Sequence, residues 1–215
     1  MTMNDHKETI FISGIDTDAG KSYATGWLAC QMAAQGRRVA TMKFIQTGCD
    51  GRSEDIEIHR RLTGTPLPED YDLTTAPQIF SYPASPHLAA RIDGRSIDFE
   101  AIDSALRRLS ECYDTVLVEG AGGLMVPLTD EMLTIDYPLQ RDMPVALVTN
   151  GRLGSINHTI LSLEAIASRG MKLHSILYNT HFDTDAVIAP DTQAYLREYV
   201  ERHFPGTPFM LVPTL

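Results

Sequence analysis

Three short segments of this sequence combine residue types suited to holding phosphate and a divalent cation. The first is Gly14-Ile-Asp-Thr-Asp-Ala-Gly20-Lys21-Ser22, between an apolar run and a stretch of helical periodicity. A glycine-bearing turn that opens a helix exposes unpaired N–H groups and the positive end of the helix dipole, a natural seat for an anion. On this reading Asp16, Thr17, Asp18, Ala19 and Gly20 wrap the phosphates of ATP. Lys21 reaches the β- and γ-phosphate oxygens, and the Ser22 hydroxyl ligates Mg²⁺. Five residues separate Gly14 from Gly20, one more than the usual phosphate loop, and Ile15 stands at the strict glycine position. Gly-Lys-Ser alone also arises by chance as a turn with a solvated lysine, so the preceding strand and following helix carry the assignment.

The second segment is Arg38–Lys43 followed by Gln46-Thr47-Gly48, and the third is Thr115-Val-Leu-Val-Glu119-Gly-Ala-Gly-Gly123. Each is an apolar run ending in a charge. In a parallel sheet the carboxyl ends of neighbouring strands share one edge, where ligands bind. Lys43 is therefore expected beside Lys21, two ammonium groups on one anion. Glu119 is expected to hold Mg²⁺ directly or through water, with Gly120 and Gly122 letting backbone approach the nucleotide.

The elements that must position these groups follow from periodicity. Strands are expected at Thr9–Ser13, Arg38–Lys43, Thr115–Val118, Val145–Thr149, Leu173–Tyr178 and Phe209–Val212. Helices are expected at Lys21 to about Gln35, from Ser53 to about Thr63, Asp98–Cys112, Asn157–Arg169 and Thr192–Arg202, with Gly36 and Gly170 as C-caps. Phe99, Ile102, Leu106 and Leu109 mark one face of the third helix. Residues 64–86 read as long loops around one short strand, Gln78–Phe80. Strands alternating with helices imply right-handed crossovers and a sheet covered on both faces. The expected fold is a single-domain, doubly wound α/β structure over residues 1–215, with a mostly parallel sheet of about six or seven strands of the P-loop type.

Composition excludes several classes. Of 215 residues, 43% are hydrophobic and 21% charged, enough apolar surface for a packed core. A formal net charge of −10 repels nucleic acid and anionic lipid surfaces. Cys30, Cys49 and Cys112 include no Cys-x-x-Cys pair, against a disulfide framework or structural zinc. The start MTMNDHKET has no apolar leader core and no run reaches membrane-span length, so the expected location is cytoplasmic.

Together these segments resemble the dethiobiotin synthetase family. The resemblance rests on Gly14–Ser22 with its wider spacing, Lys43 with Thr47-Gly48, Asp55, Ser85-Pro-His87, Val118–Gly123, Gly151-Arg-Leu-Gly-Ser-Ile-Asn-His158 and Asn179. It implies an enzyme in which 7,8-diaminononanoate takes up CO₂ as a carbamate. ATP phosphorylates the carbamate oxygen, and the second amine closes a cyclic urea with release of phosphate. It also implies Lys21, Lys43 and Thr47 as catalytic groups, Ser22, Asp55 and Glu119 as the Mg²⁺ shell, and Asn179 with Pro213 around the adenine. In that family the loop Gly154, Ser155, Ile156 and Asn157 receives the substrate carboxylate for the partner subunit's site, which implies a homodimer. From the residues alone, Ser155 or Asn157 as an ordinary N-cap is the favoured reading, as is Asn179 as a turn former, and the resemblance tips both toward the site. Asp18 replaces a commoner Glu, Ser22 a commoner Thr and Phe44 a familiar Pro. Two rivals stand beside this reading. A partition-type switch ATPase would carry an extra lysine where Ile15-Asp16 stands; a cobyrinate-type amide ligase would have to use free ammonia.

Overall fold

The computed structural model describes residues 7–214, so the expected absence of a leader in the first six lies outside the described residues. The elements in chain order are β1 (Glu8–Gly14), α1 (Lys21–Ala34), β2 (Val39–Lys43), β3 (Gln46–Thr47), α2 (Glu54–Thr63), β4 (Ile79–Phe80), α3 (Pro86–Ile92), α4 (Phe99–Cys112), β5 (Thr115–Gly123), α5 (Asp136–Gln140), β6 (Val145–Asn150), α6 (Ser155–Ser168), β7 (Leu173–Asn179), α7 (Ile188–His203) and β8 (Phe209–Val212). Six strands form one sheet in the order β2-β5-β1-β6-β7-β8, every pair parallel, and β3 pairs with β4 in a separate two-stranded sheet.

The strands are apolar throughout because both faces of the sheet are covered. Along β1, Phe11 enters one core with Met42, Val116, Val118 and the α4 residues Ile102 and Leu109. Its neighbours Ile10 and Ile12 enter the opposite core with Leu28 of α1, Leu117 and Val148. Side chains alternating between two buried layers is what a parallel strand with helices on each face requires. The chain leaves β1 toward β2 on one side and later crosses to β6 on the other. The carboxyl end of β1 is thus the switch point at which ligands bind such sheets.

Two local devices set the position of α2. Gly26 in α1 faces Leu62, and a Cβ there would collide with that side chain, so the missing side chain lets the two helices approach. Arg60 of α2 donates through Nε and Nη2 to Asp70 Oδ2 and Oδ1 at 2.7 and 2.8 Å, and through Nη1 to Thr41 Oγ1 of β2 at 2.8 Å. Ser53 accepts from the Ile56 N–H as the helix cap, as its side chain predicts.

Several expected boundaries shift. β5 continues past Glu119 to Gly123, pairing Gly14 with Gly123, because small residues allow the two chains to stay together. α7 begins at Ile188 rather than Thr192: Asp185 accepts from the Val187 and Ile188 N–H groups at 2.8 and 2.9 Å and so satisfies two donors where the helix opens. Residues 64–86 hold β4 and a 3₁₀ turn at Pro68–Asp70, and α3 starts at Pro86, a position where proline's missing N–H costs nothing. α6 starts at Ser155, two residues before the expected Asn157.

Candidate active site

At the carboxyl edge of the sheet lies a cleft of about 510 Å³, lined by side chains from β1's following loop, α1, β2, β3, α2 and β5. Thr17, Asp18, Gly20, Lys21, Ser22, Lys43, Thr47, Asp55, Glu119 and Gly122 all line it. The expected convergence of the three segments is therefore present. Ala19 is fully buried behind the loop, and Gly120 is buried behind the cleft, where a Cβ would meet the Phe11 ring at 2.9 Å. The Asp16 carbonyl faces Lys21, while its Oδ1 is buried with no partner among the described residues.

Gly20 adopts a left-handed conformation, φ 87°, at the N-cap of α1, and no side chain caps that helix. The first-turn N–H groups of α1 are left for a ligand at the cleft wall. Lys21 Nζ donates to the Asp16 and Thr17 carbonyls at 3.0 Å each, folding back over its own loop. Burial, reinforced by the Lys43 charge, lowers the Lys21 pKa to about 8.

Around Ser22 the chemistry is dense. Its Oγ lies 2.6 Å from Asp55 Oδ1 and 2.9 Å from Glu119 Oε1. A hydroxyl carries one hydrogen and can donate to only one of these at a time. Lys43 Nζ bridges the same two carboxylates, 2.5 Å from Asp55 Oδ2 and 2.8 Å from Glu119 Oε1, and also contacts the Gly120 carbonyl at 3.2 Å. Glu119 is wholly buried. Burial alone would raise its pKa, but the Lys43 ammonium and a hydrogen bond from His59 outweigh it and hold the carboxyl far below its usual range. Lys43, also buried, is in turn held above its usual value because Glu119 and Asp55 outweigh its desolvation.

Among the described residues no group of three or more His, Cys, Asp and Glu side chains forms a ready-made metal site. Two carboxylate oxygens within 3 Å of one hydroxyl nonetheless fit the part-shell that Mg²⁺ takes when phosphates complete it.

A second hollow of about 270 Å³ adjoins the first through Gly20, Tyr23 and Phe182, and is lined also by Asn179, His181, Pro213 and Thr214. Asn179 Nδ2 donates to the Ala19 carbonyl at 3.3 Å, and its Oδ1 accepts from the His181 N–H at 3.1 Å. One amide hydrogen and one lone pair remain for a base edge.

The structure does not bring Gly154, Ser155, Ile156 and Asn157 into either hollow. Gly154 is the left-handed N-cap of α6 and no side chain caps the helix, so neither Ser155 nor Asn157 is the expected cap. Ser155 Oγ instead donates to Asn150 Oδ1 at 2.6 Å, while Asn157 is exposed.

Residues not anticipated from sequence include His59, Tyr23, Phe182 and Arg152, whose guanidinium lies 3.8 Å above the Phe182 ring. For His59 a signal was present: it follows Asp55 by one helical turn, so both share a face of α2.

The AAA domain family model matches residues 8–206. Among solved structures, a putative plasmid partition protein from Borrelia burgdorferi bound to AMPPNP superposes with a TM-score of 0.57 at 11% identity, covering 95% of this chain and 86% of that one. A ParA family ATPase from Chlorobium tepidum does so with a TM-score of 0.52 at 15% identity, over 95% and 83%. Likeness at this level shows the fold alone. The chain is 49% identical to ATP-dependent dethiobiotin synthetase BioD 2 of Pasteurella multocida, over 94% of this chain and 95% of that protein. It is 50% identical to ATP-dependent dethiobiotin synthetase BioD of Chlorobaculum tepidum, over 91% and 82%. This chain belongs to the ATP-dependent dethiobiotin synthetase family.

Proposed function

We propose that this protein is an ATP-dependent ligase of biotin biosynthesis that closes the cyclic urea of dethiobiotin from 7,8-diaminononanoate and CO₂. The observation that carries the reading is the convergence of Lys21, Lys43, Ser22, Asp55 and Glu119 in one cleft at the sheet's switch point. Transfer of a phosphoryl group to a carbamate brings two anions together, and catalysis then consists of alignment and charge compensation. Lys21 leaves its loop carbonyls for the β- and γ-phosphates. Lys43, already between two carboxylates, turns toward the carbamate oxygen as phosphate charge develops there. Thr47, beside it on β3, hydrogen-bonds the carbamate. Ser22, Asp55 and Glu119 would hold Mg²⁺, which when bound would offset the negative charge of the phosphates. The second amine then attacks the carbonyl carbon of the carbamic–phosphoric anhydride, and phosphate leaves.

Asn179 and Pro213 line the hollow that receives the adenine. Gly154, Ser155, Ile156 and Asn157 at the N-terminus of α6 do not line the protomer's own cleft, and Leu153 beside them is 91% exposed. Both facts support a homodimer in which Gly154–Asn157 takes the substrate carboxylate of the partner's site. No helix among the described residues is long and apolar enough to cross a membrane.

The test is a product assay by mass spectrometry with purified protein, Mg²⁺, ATP, bicarbonate and the diamine. The expected product is the diamine plus CO₂ minus water, dependent on ATP and lost in Lys21→Ala with the fold intact. ATP hydrolysis without that product would overturn the substrate assignment and return the switch ATPase and amide ligase readings.

A further inference from the structure

Helix α2 delivers two side chains, Asp55 and His59, to the end of β5. Asp55 and His59 stand one turn apart on the same face. Asp55 meets Ser22 and Lys43, while His59 Nε2 lies 2.7 Å from Glu119 Oε2, with both residues wholly buried. The two oxygens of Glu119 thus have separate duties. Oε1 faces Ser22 Oγ and Lys43 Nζ, at 2.9 and 2.8 Å; Oε2 faces only the imidazole among the hydrogen bonds of the described residues. A carboxylate accepts, so Nε2 carries the hydrogen and donates it.

The other ring nitrogen decides what kind of residue this is. His59 Nδ1 is buried with no partner among the described residues. A buried polar atom without a partner costs stability that an apolar side chain of similar size would not. Packing therefore gives no reason for an imidazole here, whereas the bond from Nε2 does. The terminal torsion of a glutamate is broad and nearly two-fold. Without a donor on Oε2, the carboxylate is free to turn and share both oxygens with the Lys43 ammonium.

We propose that His59 is a positioning residue that locks the rotation of the Glu119 carboxylate, so that Oε1 alone is presented to the metal and the phosphates. The inference rests on the reading of Glu119 as a metal ligand. Donors behind a ligating group commonly set metal affinity by fixing its orientation.

The experiment measures Mn²⁺ binding in the presence of a non-hydrolysable ATP analogue, by the electron paramagnetic resonance signal of free Mn²⁺. It compares the wild type with His59→Leu, His59→Gln and His59→Asn, and the kinetics of each are measured with Mg²⁺. His59→Leu is expected to weaken Mn²⁺ binding about ten-fold or more and to lower kcat, with KM for the diamine unchanged. Glutamine places a donor near the Nε2 position and is expected to restore most of both, while asparagine is too short to reach Oε2 and is not. Wild-type Mn²⁺ affinity in His59→Leu, or equal affinity in the glutamine and asparagine variants if the leucine variant does not fold, would overturn the proposal. Asp55→Asn and Glu119→Gln separate the two levels. Unchanged Mn²⁺ affinity in both would overturn the metal reading itself. Loss in these with wild-type affinity in His59→Leu would overturn only the role of His59.

Discussion

Replacing Lys43 by methionine tests the electrostatics of the cleft most directly, because the two side chains are similar in length and differ in charge. In the native protein one ammonium neutralises two carboxylates, Glu119 wholly buried and Asp55 one-fifth exposed. Removing one partner of a buried ion pair costs about 3–5 kcal/mol, since the remaining charge stays desolvated. The access of Asp55 to water places this case near the lower end, about 3 kcal/mol. For a chain of this length that corresponds to roughly 6–12 °C in Tm. The deficit should depend on pH in a definite direction. The folded Glu119 carboxyl lies below its unfolded value of about 4.3, so its stabilising contribution is present above that value and lost as the pH falls through the folded one. In Lys43→Met burial is opposed mainly by His59, and the folded value rises. The variant is then penalised at neutral pH and relieved by protonation, so the gap to wild type narrows as the pH falls from about 6 to about 4. Mg²⁺ supplied at about ten times its dissociation constant should return roughly 1.4 kcal/mol to the variant by mass action. The assay is thermal unfolding across that pH range, with and without Mg²⁺. A gap that neither narrows in acid nor responds to Mg²⁺ would mean that packing, not charge, was lost, and would refute the argument.

Three further outcomes follow from individual contacts. Gly20→Ala would push a Cβ into Asn179 Nδ2 from a left-handed backbone, φ 87°, and should abolish detectable ATP binding in calorimetry while the circular dichroism spectrum stays native. Asp70→Asn removes the carboxylate that Arg60, Thr75 and the Leu67 N–H share, and should cost about 2 kcal/mol in denaturant unfolding. Burial opposes ionisation of Asp70, yet the Arg60 hydrogen bonds outweigh it and lower its pKa, so the wild type's advantage should be full above about pH 4 and fade below it. Asn157→Ala should raise KM for the diamine more than KM for ATP in steady-state kinetics, and an unchanged diamine KM would remove α6 from substrate binding.

Much of the scaffold was legible because its signals are local. The strand cores, from Ile10-Phe11-Ile12 to Phe209–Val212, are apolar on successive residues, which only a strand buried on both faces demands. The cap of α2 was readable from Ser53, whose side chain accepts from the N–H three residues on, as that of Asp98 does for α4. Boundaries moved where the signal came from outside the segment. α7 begins early because Asp185 satisfies two donors where it opens, and β5 runs on because Gly123 finds Gly14.

The same division runs through the site. Glycine conformation, helix polarity and the reach of lysine are properties of a short segment, so the sequence by itself determined the proposed phosphate seat: the turn ending at Gly20 and the first turn of α1. It also determined that Lys43 and Glu119 each follow an apolar run, while the pairing of β2 with β5 that sets Lys43 opposite Glu119 belongs to the sheet. Which atoms meet was decided only by the tertiary structure, because Ser22 finds Asp55 across 33 positions and Glu119 across 97, and Lys43 finds Glu119 across 76. His59 is the clearest case. Its spacing from Asp55 puts both on one face of α2, and only the packing of α2 over β2 and the end of β5 turns it into the buried donor behind Glu119. Pair partners in a cleft are chosen by how helices seat on a sheet, and that seating is set by shapes such as Gly26 against Leu62 that no short window of sequence contains.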